Sequence, residues 1–324
     1  MTDKTFALAT EQTTDGARAA VVLGDRIAPL ADVLPARTGA TVRDLLDDWA
    51  VAEGELAQAV AGLDATAAPF RDMDEAQLLP PVNLPRQVFC TGANYRKHVV
   101  DLTLDMNVGP EGLDKAGLRR WAEDMMDTRA REGEPYVFLK PVSSIAGPND
   151  PLAVPDYDEK PDWELELAVI IGKPTWQVSR DEAMEHVAGY AIVNDVTSRS
   201  LIARKDYSNL GTDWMRSKGQ PGYLPFGPLM VPRRFVPDPM ALTLKLSLNG
   251  DVMQDEAAAD MIFDIPRQIE YISRYSRLMP GDVICTGSPA GNGTHYNRFL
   301  KPGDTMVGEI EGLGRQTINI VARD

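Results

Sequence analysis

The residues with the clearest chemical potential lie in the stretch Asp162-Trp163-Glu164-Leu165-Glu166-Leu167-Ala168-Val169-Ile170-Ile171-Gly172. Acidic and apolar residues alternate, and a β-branched run and a glycine follow, which reads as a strand entering a core. Residues two apart on a strand share a face, so Glu164 and Glu166 stand side by side while Trp163, Leu165 and Leu167 face the other way. Two carboxylates that close, partly buried, raise at least one pKa strongly unless a cation lies between them, and a hard divalent metal meets that need. A solvated edge strand with two harmless acids is the other arrangement the spacing allows. Asp195 ends the apolar run Tyr190-Ala191-Ile192-Val193, where a sheet presents a ligand and where a helix cap would use the same residue type. A candidate base follows the segment Arg86–Gly92. If the chain turns helical after Asn94, His98 and Asp101 share a face, and a carboxylate can hold one imidazole nitrogen while the other acts as base. Such pairs are also common on exposed helices. Lys218, in a Gly- and aromatic-rich region, is either a solvated charge or a fixed cation for a developing enolate.

The elements that must position these groups can be followed along the chain. Residues 6–33 give two or three short strands with Gly24-Asp25 as a turn, a small antiparallel meander. Thr41 with Asp44 three residues on is a helix start, and the helix is expected through Trp49 toward Leu63. The proline-punctuated segment 80–85 marks a boundary between a small N-terminal domain (1–80) and a larger one (81–324). Residues 102–134, with an amphipathic helix from Leu113 to Arg131, form an insertion that serves as a lid, a surface excursion or an oligomer contact. Strand character resumes at Pro135–Pro141. A short helix over Asp181–His186 is capped by Ser179, Asn249-Gly250 is a hairpin turn, and Ile265–Leu278 is a helix. Val283–Pro289 is a buried strand ending in a small polar loop. Gly291 and Gly293 after it suit close backbone approach to a ligand better than a nucleotide, because no βαβ unit surrounds them.

Composition narrows the function classes. The 324 residues carry 33 basic and 48 acidic side chains, a net charge of −15, which argues against binding nucleic acid or an anionic membrane surface. Two cysteines, Cys90 and Cys285, make no disulfide framework or zinc motif. No apolar window reaches membrane-spanning length and the N-terminus shows no signal core, so the cytoplasm is the expected compartment.

Several motifs occur in a telling order: Asn94-Tyr95-x-x-His98, Phe138-Leu139-Lys140-Pro141, Glu164-Leu165-Glu166-Leu167-Ala168, Asn194-Asp195-Val196-Thr197-Ser198-Arg199, Lys218-Gly219 and Thr286-Gly287-Ser288-Pro289-Ala290-Gly291. Spread over residues 88–320, this combination resembles the fumarylacetoacetate hydrolase family. The resemblance implies an α+β, mainly β fold, a mixed β-sandwich roll forming the catalytic domain, with a small α/β N-terminal domain and a homodimeric assembly. It implies Mg²⁺ or Mn²⁺ (with Ca²⁺ able to take the site in crystals) on Glu164, Glu166 and Asp195, and a water-activating pair of His98 and Asp101. Lys218 would stabilise negative charge on the substrate, and Tyr95, Arg199, Thr286 and Gly287 would line the pocket. The implied activity is metal-dependent hydrolysis of a carbon-carbon bond in a 2,4-dioxo acid, of acylpyruvate or fumarylpyruvate type, in a catabolic pathway. Oxaloacetate decarboxylation and isomerisation or hydration of 2-hydroxyhepta-2,4-diene-1,7-dioate are the alternatives on the same scaffold. Two positions depart from the family pattern. Asp101 is one methylene shorter than the usual glutamate, and Ser200, Leu201 and Ile202 stand where the family tends to carry Asp and Gln, so the substrate's polar end is expected to be held differently.

Overall fold

The computed structural model describes residues 4–105, 107–204 and 206–323. Its centre is a six-stranded mixed sheet in the order Val231–Pro232, Val187–Asn194, Leu165–Ile171, Val283–Cys285, Val88–Gly92, Tyr136–Leu139. The pair Val283–Cys285 and Val88–Gly92 is parallel and the other neighbours are antiparallel. Every residue of Leu165–Ile171 is buried, because both faces of this strand are covered. Leu165, Leu167, Val169 and Ile171 enter one core, with the second sheet and the helix Ile265–Tyr275. Ala168 and Ile170 enter another, with the N-terminal strands and helices. The pleat that separates these two sets also separates the glutamates from the leucines between them.

The second sheet has five strands in the order Asp251–Ala257, Thr243–Leu248, Thr305–Ile310, Gly314–Ala322, Leu152–Val154. Asn249 and Gly250, both at positive φ, make its hairpin turn, as their residue types require. The N-terminal meander Ala7–Thr13, Gly16–Leu23, Arg26–Pro29 is flanked by the short strands Leu78–Leu79 and Arg71–Asp72. It is stitched to the central sheet by a two-way backbone bridge between Leu8 and Met230 (2.9 and 2.8 Å).

The expected helix from Thr41 is two helices, Val42–Asp47 and Trp49–Ala61. Thr41 and Asp44 form a reciprocal capping box. The break falls at Asp48, whose backbone is non-helical and whose carboxylate is held by Arg37 at 2.8 and 3.2 Å. The helix Arg96–Asp105 runs into the 102–134 segment, and Lys115–Glu132 packs against it through Val100, Ala122 and Met126, closed off by Ile262 and Phe263. Arg96 clamps Asp127 with two hydrogen bonds of 2.8 and 3.2 Å. Among the described residues no helix is long and apolar enough to cross a membrane.

Candidate active site

Glu166 lies on Leu165–Ile171, Glu164 immediately precedes it, and Asp195 immediately follows the neighbouring strand Val187–Asn194. Antiparallel pairing puts Leu165 opposite Asn194, so the two strand ends deliver all three acids to one place. One carboxylate oxygen from each of Glu164, Glu166 and Asp195 lies within 4.8 Å of the others, and all three residues are buried. Asn194 accepts the Glu164 amide at 2.9 Å, and the Asp195 amide donates to the Glu164 carbonyl at 2.8 Å. The register is therefore pinned at the site itself.

Three cations surround the acids unevenly, Lys140 and Lys218 buried and Arg199 partly buried. Lys140 donates to Asp195 Oδ1 at 2.6 Å and to the Val196 carbonyl at 3.0 Å. Lys218 donates to Glu164 Oε2 and Thr197 Oγ1, each at 2.7 Å, and to Asp195 Oδ2. An ammonium has three protons, so those of Lys218 are fully engaged. Arg199 spans Asp162 (Nε to Oδ2, 2.8 Å) and Glu164 (Nη2 to Oε1, 2.5 Å). Among the described residues no cation forms an ion pair with Glu166; the Gly287 amide donates to it at 2.7 Å.

The electrostatics follow this partition. Burial pushes the Glu166 carboxyl well above the usual range, and Asp195 and Glu164 push it further. Glu164 is equally desolvated, but Arg199 and Lys218 outweigh that and hold it well below the usual range. Burial pulls Lys218 down, yet Asp195 and Glu164 keep it above an ordinary lysine. The donor set is all oxygen, compact, and short of one cation at Glu166. That fits a hard divalent ion with room for exchangeable ligands.

His98 is buried on Arg96–Asp105. Desolvation, followed by the charge of Arg199, lowers its pKa to about 4, so the imidazole is neutral at physiological pH. Asp101 lies on the same helix with Arg119 at 3.6 Å, and among the described residues no hydrogen bond joins it to His98. Tyr95 is fully buried next to this helix, and desolvation drives its phenol upward. Thr286 donates its hydroxyl to the Leu167 carbonyl at 2.8 Å. Gly287 sits at φ +102° with Asn94 Cβ only 2.8 Å from where a side chain would begin. Both its backbone angle and its contact leave room for glycine alone.

The structure thus gathers Glu164, Asp195, Lys218 and Arg199 into one hydrogen-bonded cluster, sets the Gly287-bound carboxylate of Glu166 within 4.8 Å of it, and brings His98 near enough to feel the charges of Glu164, Arg199 and Lys218. Lys140 and Asp162 belong to the cluster and carried no role in the sequence reading. Lys140 had a signal, a lysine inside an otherwise apolar strand segment. Asp162 was hidden as the first acid of an alternating run, yet it binds Arg199 and receives the amides of Gly293 (2.5 Å) and Thr294 (3.1 Å).

The mixed sheets carrying a buried three-carboxylate centre beside a neutral histidine are the frame on which the comparisons with known proteins can be placed. The model of the fumarylacetoacetate (FAA) hydrolase C-terminal domain matches residues 87–321, and the chain belongs to the fumarylacetoacetate hydrolase family. It is 34% identical over 265 residues to a 2,4-didehydro-3-deoxy-L-rhamnonate hydrolase of Sphingomonas sp. (strain SKA58), covering 81% of this chain and 82% of that protein. It is 34% identical over 239 residues to a mitochondrial oxaloacetate tautomerase of Xenopus laevis, covering 73% of this chain and 66% of that protein. Among solved structures, the maleylpyruvate hydrolase of Sphingobium sp. SYK-6 in complex with manganese(II) and pyruvate superposes with a TM-score of 0.71 at 26% identity, covering 98% of this chain and all of that one. The chain is accordingly an enzyme of this superfamily, whose relatives include hydrolases, isomerases and tautomerases.

Proposed function

We propose that the protein is a divalent-metal-dependent hydrolase that cleaves the carbon-carbon bond of a 2,4-dioxo acid of acylpyruvate type. The observation that carries this reading is the buried triad in which one carboxylate, Glu166, has no ion-pair partner among the described residues, beside a histidine kept neutral by burial. Glu164, Glu166 and Asp195 would hold Mg²⁺ or Mn²⁺. When bound, such an ion supplies Lewis-acid stabilisation of negative charge on the substrate oxygens. The relative holding manganese and pyruvate supports this choice of ion and of product.

The chain's own residues account for the proton and charge movements. His98, neutral, takes a proton from the water that attacks the distal (C4) carbonyl. The C3–C4 bond then breaks, its electron pair stays on the three-carbon fragment as the enolate of pyruvate, and the imidazolium returns the proton to C3. The products are a carboxylic acid and pyruvate. Positioned general-base catalysis of this kind contributes about 10²–10⁴-fold. Lys218 acts through its charge and by bracing two carboxylates, since its protons are already committed. Arg199 orients Glu164 from Asp162.

A second reading has an observation of its own. Asp101 faces Arg119, and among the described residues no carboxylate hydrogen-bonds His98, which suits moving a proton on carbon more than activating water. Tautomerisation of an oxaloacetate-type substrate, the activity named for the Xenopus relative, needs only that. The deciding experiment incubates the chain with acylpyruvates, oxaloacetate and diene dioates, with Mg²⁺ and with chelator, and identifies products by mass. Metal-dependent release of pyruvate and a carboxylic acid, reduced about 10²-fold or more in His98→Ala, supports hydrolysis. Enol-keto interconversion without cleavage selects the second reading.

A further inference from the structure

We propose that Gln254, a buried glutamine on the outer strand of the second sheet, is a positioning residue for Glu166: it keeps the Gly287 amide in place on that carboxylate. The proposal rests on the metal reading above and adds to it a residue outside the carboxylate cluster.

Strand Asp251–Ala257 is an edge of the second sheet, and its other residues are exposed or half-buried, whereas Gln254 is 1% exposed. A β-bulge accounts for the difference. Leu246 pairs with Gln254 but Ser247 pairs with Val252, which leaves Met253 as an extra residue on the edge strand. Bulges re-aim the side chains beside them and are frequent next to active sites. Here the bulge sets Gln254 opposite Leu246, on the face that packs into the core. Gly291, at φ +96°, accommodates it from the other side, since a side chain there would run into the Met253 carbonyl.

The re-aimed amide reaches two walls of the site. Its Oε1 accepts the Leu165 N–H at 3.3 Å, and its Nε2 donates to Ser288 Oγ at 3.0 Å and to the Pro289 carbonyl at 2.9 Å. An N–H on one side and a carbonyl on the other fix which end is oxygen, and an amide serves both. These partners are the chain neighbours of the contact at Glu166. Leu165 precedes the acceptor, and Ser288 follows the donor, Gly287, whose amide lies 2.7 Å from Glu166 Oε2. On the far side of that contact the strand and the loop bind directly: the Thr286 amide and hydroxyl donate to the Leu167 carbonyl at 3.1 and 2.8 Å. On the near side, among the described residues, no direct hydrogen bond joins Leu165 to Ser288, and Gln254 spans the gap. Hydrogen-bond partners behind a metal ligand are worth about 10–100-fold in metal affinity, and Gln254 fixes such a partner from both sides.

Mn²⁺ titration of the full chain, followed by electron paramagnetic resonance well below each protein's melting temperature, tests this. Gln254→Met keeps the volume and removes the side chain's hydrogen bonds, so its Kd should rise about tenfold or more over the wild type. Gln316→Met controls for general loosening. Gln316 is likewise a buried glutamine of the second sheet, donating to the carbonyls of Ile192 (3.2 Å), Pro225 (3.2 Å) and Gly227 (3.0 Å), and none of these partners belongs to the Glu166 strand or the Gly287 loop. Its variant should lose melting temperature while Kd stays within about threefold of the wild type. A rise below about tenfold in folded Gln254→Met, or an equal rise in Gln316→Met, overturns the proposal. If Gln254→Met does not fold, Ser288→Ala, which removes one acceptor of the amide, decides: a Kd raised about threefold or more supports the proposal, and a smaller rise overturns it. A wild type that binds no Mn²⁺ overturns the metal reading, and this inference with it; a wild type that binds it, with Gln254→Met binding equally, overturns this inference alone.

Discussion

Replacing Glu166 by glutamine should separate a ligand from a structural acid. The change keeps shape, keeps an oxygen to accept the Gly287 amide, and removes one charge. In the metal-free protein that charge lies within 4.8 Å of ligand oxygens of Glu164 and Asp195. At that separation and an effective dielectric of 20, each like-charge pair costs about 3.5 kcal/mol. Lys140, Lys218 and Arg199 offset part of this, and the wild type escapes the rest by protonating Glu166, so a net gain of about 1–4 kcal/mol bounds the effect. For 324 residues, an unfolding entropy of about 2.1 cal/mol/K per residue makes 1 kcal/mol worth about 1.5 °C. Glu166→Gln without metal should therefore melt about 2–6 °C above the wild type. Mn²⁺ at a hundred times its Kd adds about 2.7 kcal/mol to the wild type, or about 4 °C, and should add almost nothing to the variant. Calorimetric melts with Mn²⁺ and with chelator read both numbers. A variant that melts below the wild type without metal, and still gains the full shift with Mn²⁺, would refute the electrostatic reasoning.

Other expectations follow from the same geometry. Glu166 binds its proton more tightly folded than unfolded, so the metal-free fold loses stability as pH rises from about 4.5 toward the raised value; that downward component of Tm against pH should be missing from Glu166→Gln. His98 acts with the opposite sign, because the unfolded chain takes up its proton first: about 3 kcal/mol is lost as pH falls from about 6.5 to about 4. As a base, His98 should place the acid limb of kcat/KM near pH 4 and not near 6.5, as a pH-rate profile would show. Lys140→Met strands Asp195 Oδ1 in the interior and should destabilise the metal-free protein by about 3 kcal/mol, less with Mn²⁺ bound, measured by denaturant titration. Thr41→Ala removes half of the capping box and should cost about 1 kcal/mol with turnover unaltered.

Much of this architecture is legible before any coordinates, because it rests on local rules. Thr41 with Asp44, Ser179, and Asn249-Gly250 announce helix starts and a hairpin through their own side chains and backbone preferences, and each forms, Ser179 with Glu182 completing a capping box. Glu164 and Glu166 are readable because a strand's period of two is invariant. What resists reading is whatever depends on contacts across the fold. Asp48 breaks a helix because Arg37, eleven residues earlier, holds it. Arg199 reads as a substrate ligand, yet two distant acids engage its guanidinium. His98 and Asp101 sit at suitable helical spacing, but an arginine from the following helix faces Asp101. Spacing fixes which groups can meet; only the packed chain decides which of them do.

The central claim is that Glu164, Glu166 and Asp195 together hold one divalent ion. Titration of Mn²⁺ followed by electron paramagnetic resonance, on the metal-free wild type and on Asp195→Asn, tests it most directly. The wild type should bind one ion per chain, and the variant should bind at least a hundredfold more weakly. Equal affinity in the two proteins, or no stoichiometric binding by the wild type, would contradict it.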